Sequence, residues 1–432
     1  MDGRGRIAPV RALGVLSLTA ISVNTIIGAG IFALPGTLDQ LLGPASPIAY
    51  LAAGSAVLLI ALCFAEAGSR FESSGGPYIY ALSAFGGFAG FEVAWMYLLA
   101  RLTALAAVSN TFSAYLGYLW PPMQHGPGRL FAITVMIGAI TTTHILGVRS
   151  SELVNNIFTV GKLLPLMAFC VAGLVLLDLR GIFLKPIPGA HSLQQASLLL
   201  MFALGGFESA SIPSEEVIKP TQSVPAALLS SVGLVVVLFL LIQVVAMAAL
   251  PGLATSGTPL ASAARSFLGP AGGLMLTAGA VLSTAGTSHA NLFTGSRLVY
   301  ALGRDGQLPS KLAWLHPSYG TPGIAILSYA MVGWILAVSS AFASLAALSA
   351  LARVLMYSTT CLAVPILRRR MPVSNNRAFV IPGGGLIAAL ALGVCAWLLA
   401  GSSADQVTTA AAALMVGAFI YGFLRYKRGV VA

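Results

Sequence analysis

Long stretches without a charged side chain constrain this chain more than any other feature. Residues 12–38 and 312–352 contain no Asp, Glu, Lys or Arg. Globular proteins carry roughly 25% charged residues, whereas here 8% are charged and 57% are hydrophobic. Such runs need lipid around them, which excludes a water-soluble fold. The net charge of +11 could suggest a nucleic-acid partner. A nucleic-acid face needs clustered Lys and Arg on a polar surface, however, and most basic residues here sit singly between apolar runs.

Crossing the hydrocarbon layer takes about 20 apolar residues as helix, and twelve segments qualify: 12–34, 47–67, 85–119, 131–146, 157–177, 195–213, 225–250, 272–300, 322–341, 343–366, 384–400 and 406–424. The first has an apolar stretch too long for a signal peptide and no small-residue cleavage site after it, so it is expected to persist as a helix. Short loops rich in Lys and Arg stay in the cytoplasm. With the N-terminus inside, 16 basic residues lie on the cytoplasmic side, including Arg70, Arg149, Lys219, Arg304 and Arg368. Only four, Arg129, Arg180, Lys185 and Arg265, lie outside, and Arg101, Lys162 and Arg353 fall within spans. Both termini are therefore expected in the cytoplasm.

Two spans carry glycine interruptions that a simple anchor would not need: Asn24 to Phe32 in the first, with Gly28 and Gly30, and Phe202 to Ala210 in the sixth, with Gly205 and Gly206. Broken helices at corresponding places in two five-helix halves point to an inverted-repeat transporter, because unwound backbone at membrane depth is tolerated only where it lines a cavity or is buried in protein. Close helix packing through small residues is the alternative for either break taken alone.

The residues around these breaks carry a family resemblance. Gly28-Ala29-Gly30-Ile31-Phe32-Ala33-Leu34-Pro35-Gly36 resembles the GxGIFxLPG signature of the amino acid, polyamine and organocation (APC) transporters. Further matches follow in the family's order: Glu66 to Phe71 with Ser74 to Tyr78, Gly147-Val148-Arg149, Asn156 to Thr159 leading to Lys162, Glu215-Glu216-Val217 with Pro220, and Ser296-Arg297 through Arg304-Asp305-Gly306. They cover spans one to eight, while spans nine to twelve agree in number and length without a sharp motif. The resemblance implies an all-α integral membrane protein with a leucine-transporter-type 5+5 inverted repeat and two additional C-terminal helices. The divisions would be a cytoplasmic N-terminus at 1–11, a first repeat at 12–177, a second at 195–366, the additional helices at 384–424 and a cytoplasmic tail at 425–432.

The same resemblance implies that backbone N–H groups freed around Ile26, Ile27, Gly28, Ala29 and Gly30 receive an amino acid carboxylate at the positive end of the following half-helix. Carbonyls of Phe202, Ala203 and Leu204, beside Gly205, would accept from its ammonium group. Phe202 matches the aromatic gate of related antiporters, with plain packing as the alternative. Asn291 stands where those antiporters have another aromatic, leaving a smaller and more polar pocket that puts arginine or agmatine in doubt. Lys162 falls where some members place a lysine in place of the sodium ion of coupled relatives. Burial there disfavours the charged ammonium and poises it to exchange a proton, with the carbonyls around Ile27 and the hydroxyls of Ser283 or Thr284 as expected neighbours. Snorkelling to the cytoplasmic interface is the competing role.

Glu208 follows the sixth-span break, and an intramembrane carboxylate is by default a functional candidate. It would either couple protons to conformational change or accept bonds from the seventh helix or a neighbour. Glu92, Arg101 and Arg353 are the other buried charges, with Glu92 and Arg101 too far apart along one helix to pair and the partner of Arg353 open. His144 and His289 stand isolated in spans, and His125, His191 and His316 lie in loops, so no metal site is expected. Cys63, Cys170, Cys361 and Cys395 fall inside apolar segments as small core- or lipid-facing residues. Neither a GxSxG elbow nor a phosphate-binding loop occurs, so hydrolysis, ATP coupling and a bound cofactor are unsupported. These features predict a secondary amino acid transporter in the plasma (bacterial inner) membrane, working by alternating access, coupled to protons and requiring no enzyme chemistry. The alternatives are an exchanger or exporter, a polyamine carrier, or a ligand sensor or scaffold. The oligomeric state stays open.

Overall fold

The computed structural model describes residues 14–71, 75–147, 152–179, 189–211, 217–372, 379–381, 383 and 385–429, with side chains described throughout except at 152–159 and 427–429. The expected cytoplasmic N-terminus at 1–11, the motif residues Ser74, Val148, Arg149, Glu215 and Glu216, and positions 384 and 430–432 lie outside these residues. The described chain is all-helical. Its helices are α1 (Val15–Ile26), α2 (Gly30–Leu42), α3 (Ser46–Gly68), α4 (Pro77–Phe85), α5 (Gly87–Leu119), α6 (Gly126–Ile145), α7 (Glu152–Leu176), α8 (Ala190–Ala203), α9 (Pro220–Ala249), α10 (Pro259–Arg304), α11 (Gly323–Ser339), α12 (Phe342–Arg370), α13 (Gly385–Ala400) and α14 (Ala404–Gly429).

Seven helical stretches among the described residues are long and apolar enough to cross a membrane, and four shorter apolar helices accompany them. Large apolar side chains such as Leu164, Val175, Met415 and Phe419 stand exposed on α7 and α14. Lipid accounts for these surfaces, since a water-facing protein does not carry apolar patches of this extent. The chain is an integral membrane protein.

The helices depart from the expected spans at three places. The first span does not stop at residue 34: after the break, α2 runs through Pro35 to Leu42, although an interior proline removes a ladder bond. Asp39 near the end of α2 then accepts from the Ala254 N–H at 3.0 Å. An additional helix, α4, fills the connection after α3 behind Gly76 and Pro77. Finally α10 bends at Gly269 (φ 69°), so a short helical segment precedes the eighth span, which restarts at Pro270, a residue suited to a first helical turn.

The core forms where α3 packs on α9, α5 on α10 and α12, and α10 on α7. Small residues allow these approaches, as is usual between membrane helices. At Gly54 of α3 a Cβ would sit 2.6 Å from Val236 Cγ1 of α9, and a β-branched side chain has little freedom to turn away. Gly54→Leu is therefore expected to destabilise the protein by about 1–3 kcal/mol through overpacking. This would read as a lowered melting temperature in detergent, and an unchanged value would show that the α3–α9 contact tolerates added volume.

Candidate functional site

The two interruptions meet in the interior. Helix α1 ends at Ile26 and α2 begins at Gly30. Among the described residues the N–H groups of Gly28, Ala29, Gly30 and Ile31 donate to no acceptor, as expected of the first turn of a helix. Helix α8 ends at Ala203, and after Leu204, Gly205 and Gly206 the chain re-enters a 3-10 turn at Phe207–Ser211. The carbonyls of Phe202, Ala203 and Leu204 accept no backbone bond among the described residues. The two breaks touch, because a Cβ on Gly30 would lie 2.6 Å from Cβ and 2.7 Å from Cα of Ala203. Glycine at position 30 serves the contact between the breaks as well as access to the amides. Gly206, at φ 117°, lies in a region where only glycine is comfortable and turns against the Thr25 carbonyl.

Side chains from other helices tie these ends down. Tyr115 of α5 donates to the Phe32 carbonyl at 2.7 Å. Lys162 of α7, 3% exposed, donates from Nζ to the carbonyls of Asn24 at 2.5 Å and Ile27 at 2.8 Å. These are the acceptors that the end of α1 leaves free. Ser283 of α10 reaches the same Ile27 carbonyl at 3.5 Å. Thr284 is buried beside it but donates to Ala280 and Val281 of its own helix. The lysine therefore points inward to the break and does not snorkel to an interface.

Glu208 has partners on the tenth span and at its own break. Its Oε1 accepts from Arg353 Nη1 at 2.7 Å, and its Oε2 accepts from the Tyr357 hydroxyl at 3.0 Å and the Gly206 N–H at 2.8 Å. Both charges are buried. The Arg353 guanidinium lies over Gly205, where a Cβ would stand 2.6 Å from Nη1. Phe202 packs edge-on to Phe342 of α12, with ring centroids 5.7 Å apart.

Asn291, 4% exposed, accepts at Oδ1 from Arg101 Nη1 at 3.3 Å. Arg101 also donates to the Tyr97 hydroxyl. Glu92 carries two buried oxygens without a partner among the described residues, set against Gly417 of α14. His144 and His289, expected to be isolated, are brought together across α6 and α10 with ring centroids 4.3 Å apart, because the register of two separate helices is invisible in the sequence. They form no group of three or more metal-ligating residues among those described.

A second charge cluster went unrecognised in the sequence. Glu66, fully buried, accepts from Arg70 Nη2 at 2.9 Å, from Nε and Nη2 of Arg368 at 2.5 Å each, and from the Ile381 N–H at 3.0 Å. It joins the ends of α3 and α12. The spacing of Glu66 and Arg70 signalled half of it, and Arg368, 302 positions away, gave no signal.

Two helix breaks in contact inside an all-helical membrane protein are the architecture of a membrane transporter. Residues 13–423 match the amino acid permease family. The chain is 28% identical over 440 residues to the branched-chain amino acid permease BcaP of Bacillus subtilis (strain 168), covering 95% of this chain and 92% of that protein. It is 31% identical over 389 residues to the human large neutral amino acids transporter small subunit 2, covering 86% and 72%. A methylthioribose transporter of Bacillus subtilis (strain 168) matches at 28% over 415 residues, covering 90% and 88%. The chain belongs to the amino acid permease family of the APC superfamily, whose members are transporters and not enzymes.

The Glu208–Arg353 pair holds the sixth-span break. Glu208→Leu leaves the guanidinium buried and uncompensated, at an expected cost of about 3–5 kcal/mol. Glu208→Leu combined with Arg353→Met removes both charges and should recover a large part of that loss in melting temperature. Equal losses in the single and double variants would show that the pair acts through packing alone.

Proposed function

We propose that this chain is a secondary amino acid transporter of the plasma membrane, working by alternating access and coupled to protons through Lys162. It crosses the bilayer twelve times with both termini in the cytoplasm. Residues 12–177 and 195–366 form inverted repeats, and 384–424 the two additional helices. Its substrate is a zwitterion whose carboxylate meets the amides of Gly28, Ala29 and Gly30 beyond Ile26 and Ile27, and whose ammonium group meets the carbonyls of Phe202, Ala203 and Leu204 beside Gly205. The direct approach of Gly30 to Ala203 supports this, since it lines up opposite backbone charges at one point without a charged side chain. Amino acid cargo is also what the names of the permease BcaP and the large neutral amino acids transporter state for those relatives. Phe202, packed on Phe342, gates the bound substrate.

The contacts of Lys162 with Asn24 and Ile27 are the observation that carries the coupling. An ammonium group on carbonyls at the end of a broken helix occupies the kind of site where an alkali cation would bind. Loss of its proton removes the cation and releases α1 from α7, while Ser283 keeps its hold on Ile27 and Thr284 packs behind. Glu208 serves this cycle by fixing the second break to α12. A polyamine carrier would need more cavity carboxylates than this site holds, and a sensor would bind ligand without moving it.

Uptake of labelled amino acid into proteoliposomes tests this reading under inside-alkaline, symmetrical-pH and sodium-gradient conditions. Wild type should accumulate substrate under the proton gradient and be indifferent to sodium, while Lys162→Ala should lose accumulation even where exchange persists. Sodium-driven uptake, or normal accumulation by Lys162→Ala, would contradict the coupling. Binding without flux would favour the sensor.

A further inference from the structure

The charges of the core are not evenly matched. Arg353 has Glu208, and Lys162 has two carbonyls. Arg101, 3% exposed, has only the neutral acceptors Asn291 and Tyr97, and among the described residues no carboxylate lies within ion-pair distance. Glu208, held by Arg353, reaches Arg101 only through longer-range attraction, and a desolvated guanidinium without a directly bound anion is costly. A permanent structural role would be served more cheaply by an apolar side chain.

The position of Arg101 relative to the breaks gives this imbalance a use. Along one face of α10, Thr287 lies against Gly28, Asn291 receives Arg101 one turn later, and Gly295 meets the Tyr329 ring of α11 one turn beyond that. Thr287 Oγ1 and the Tyr329 hydroxyl are buried without a hydrogen-bond partner among the described residues. Each turn advances about 5.4 Å, comparable to the separation of the two carboxylates in an extended glutamate. A polar track with orphaned hydroxyls thus leads from the amides at Gly28 to the Arg101 guanidinium.

We propose that Arg101 is a specificity-determining residue that receives the side-chain carboxylate of an acidic amino acid, glutamate or aspartate, whose α-carboxylate lies at Gly28–Gly30. This rests on the transport reading given above. On binding, the guanidinium exchanges the Asn291 carbonyl for the carboxylate, and the Thr287 and Tyr329 hydroxyls become available as donors to the same substrate. A cationic side chain would meet Arg101 unfavourably. Leucine would leave the guanidinium on its neutral acceptors with no anion and both hydroxyls unsatisfied, which is how a polar site rejects an apolar analogue.

The test is uptake of radiolabelled L-glutamate, L-aspartate, L-leucine and L-lysine by the full chain in proteoliposomes, with wild type, Arg101→Gln and Arg101→Lys. Wild type should prefer an acidic amino acid to leucine and exclude lysine. Arg101→Gln should lower the ratio of kcat/KM for glutamate over leucine about tenfold or more, the loss of one charge-assisted hydrogen bond, and Arg101→Lys should restore part of the ratio. An unchanged ratio in Arg101→Gln would overturn the assignment. If that variant does not fold, wild-type selectivity decides alone: a protein that moves leucine and ignores both acidic amino acids refutes the role of Arg101 and leaves amino acid transport standing. A folded protein that moves none of the four refutes both.

Discussion

A helix interrupted inside a bilayer leaves backbone donors and acceptors that lipid cannot satisfy, and this chain resolves the difficulty by setting two interruptions against each other. Gly30 at the start of α2 touches Ala203 at the end of α8. The surrounding side chains follow from that contact. Tyr115 fixes α2 from α5, Lys162 takes the last carbonyls of α1, and Glu208 with Arg353 and Tyr357 holds the far side of the second break. Closing the first break would take from Lys162 its carbonyl partners, and closing the second would take the Gly206 N–H from Glu208.

Arg353, Lys162 and Arg101, the cations buried among the described residues, are held in three different ways. Arg353 is bound to a carboxylate by a strong bond in a low dielectric, suited to a fixed joint. Lys162 is held by the carbonyls of Asn24 and Ile27. Arg101 is held by an amide oxygen and a phenol. Outside this centre, the Glu66 cluster joins α3 to the end of α12 and to the Ile381 backbone, so motion of α12 at that end would have to carry α3 with it.

The membrane-embedded helices and the two breaks were legible in the sequence because composition and glycine placement are local properties. Helix boundaries were less so: the first span was expected to end at 34 but α2 runs on to Leu42, and the bend at Gly269 gave no signal distinct from an ordinary loop glycine. Lys162 could be placed near Ile27 through the family resemblance together with its depth in an apolar run. Pairings between distant helices were not legible. Arg353 and Glu208 lie 145 positions apart, His144 meets His289 only through the packing of α6 on α10, and Arg101 meets Asn291 across 190 positions. Which face each helix turns inward decides such pairs, and a helix apolar on all sides carries no periodicity to reveal it.

The central claim is that backbone at the two breaks recognises both ends of a zwitterion. Titration calorimetry on the purified wild-type protein tests it most directly, comparing L-glutamate and L-leucine each with its α-decarboxylated amine and its deaminated acid. The account predicts that whichever parent binds, both of its analogues bind about tenfold or more weakly, since each loses one charge-assisted set of hydrogen bonds. An analogue that binds as tightly as its parent would show that the corresponding break does not hold the substrate, and would contradict the account.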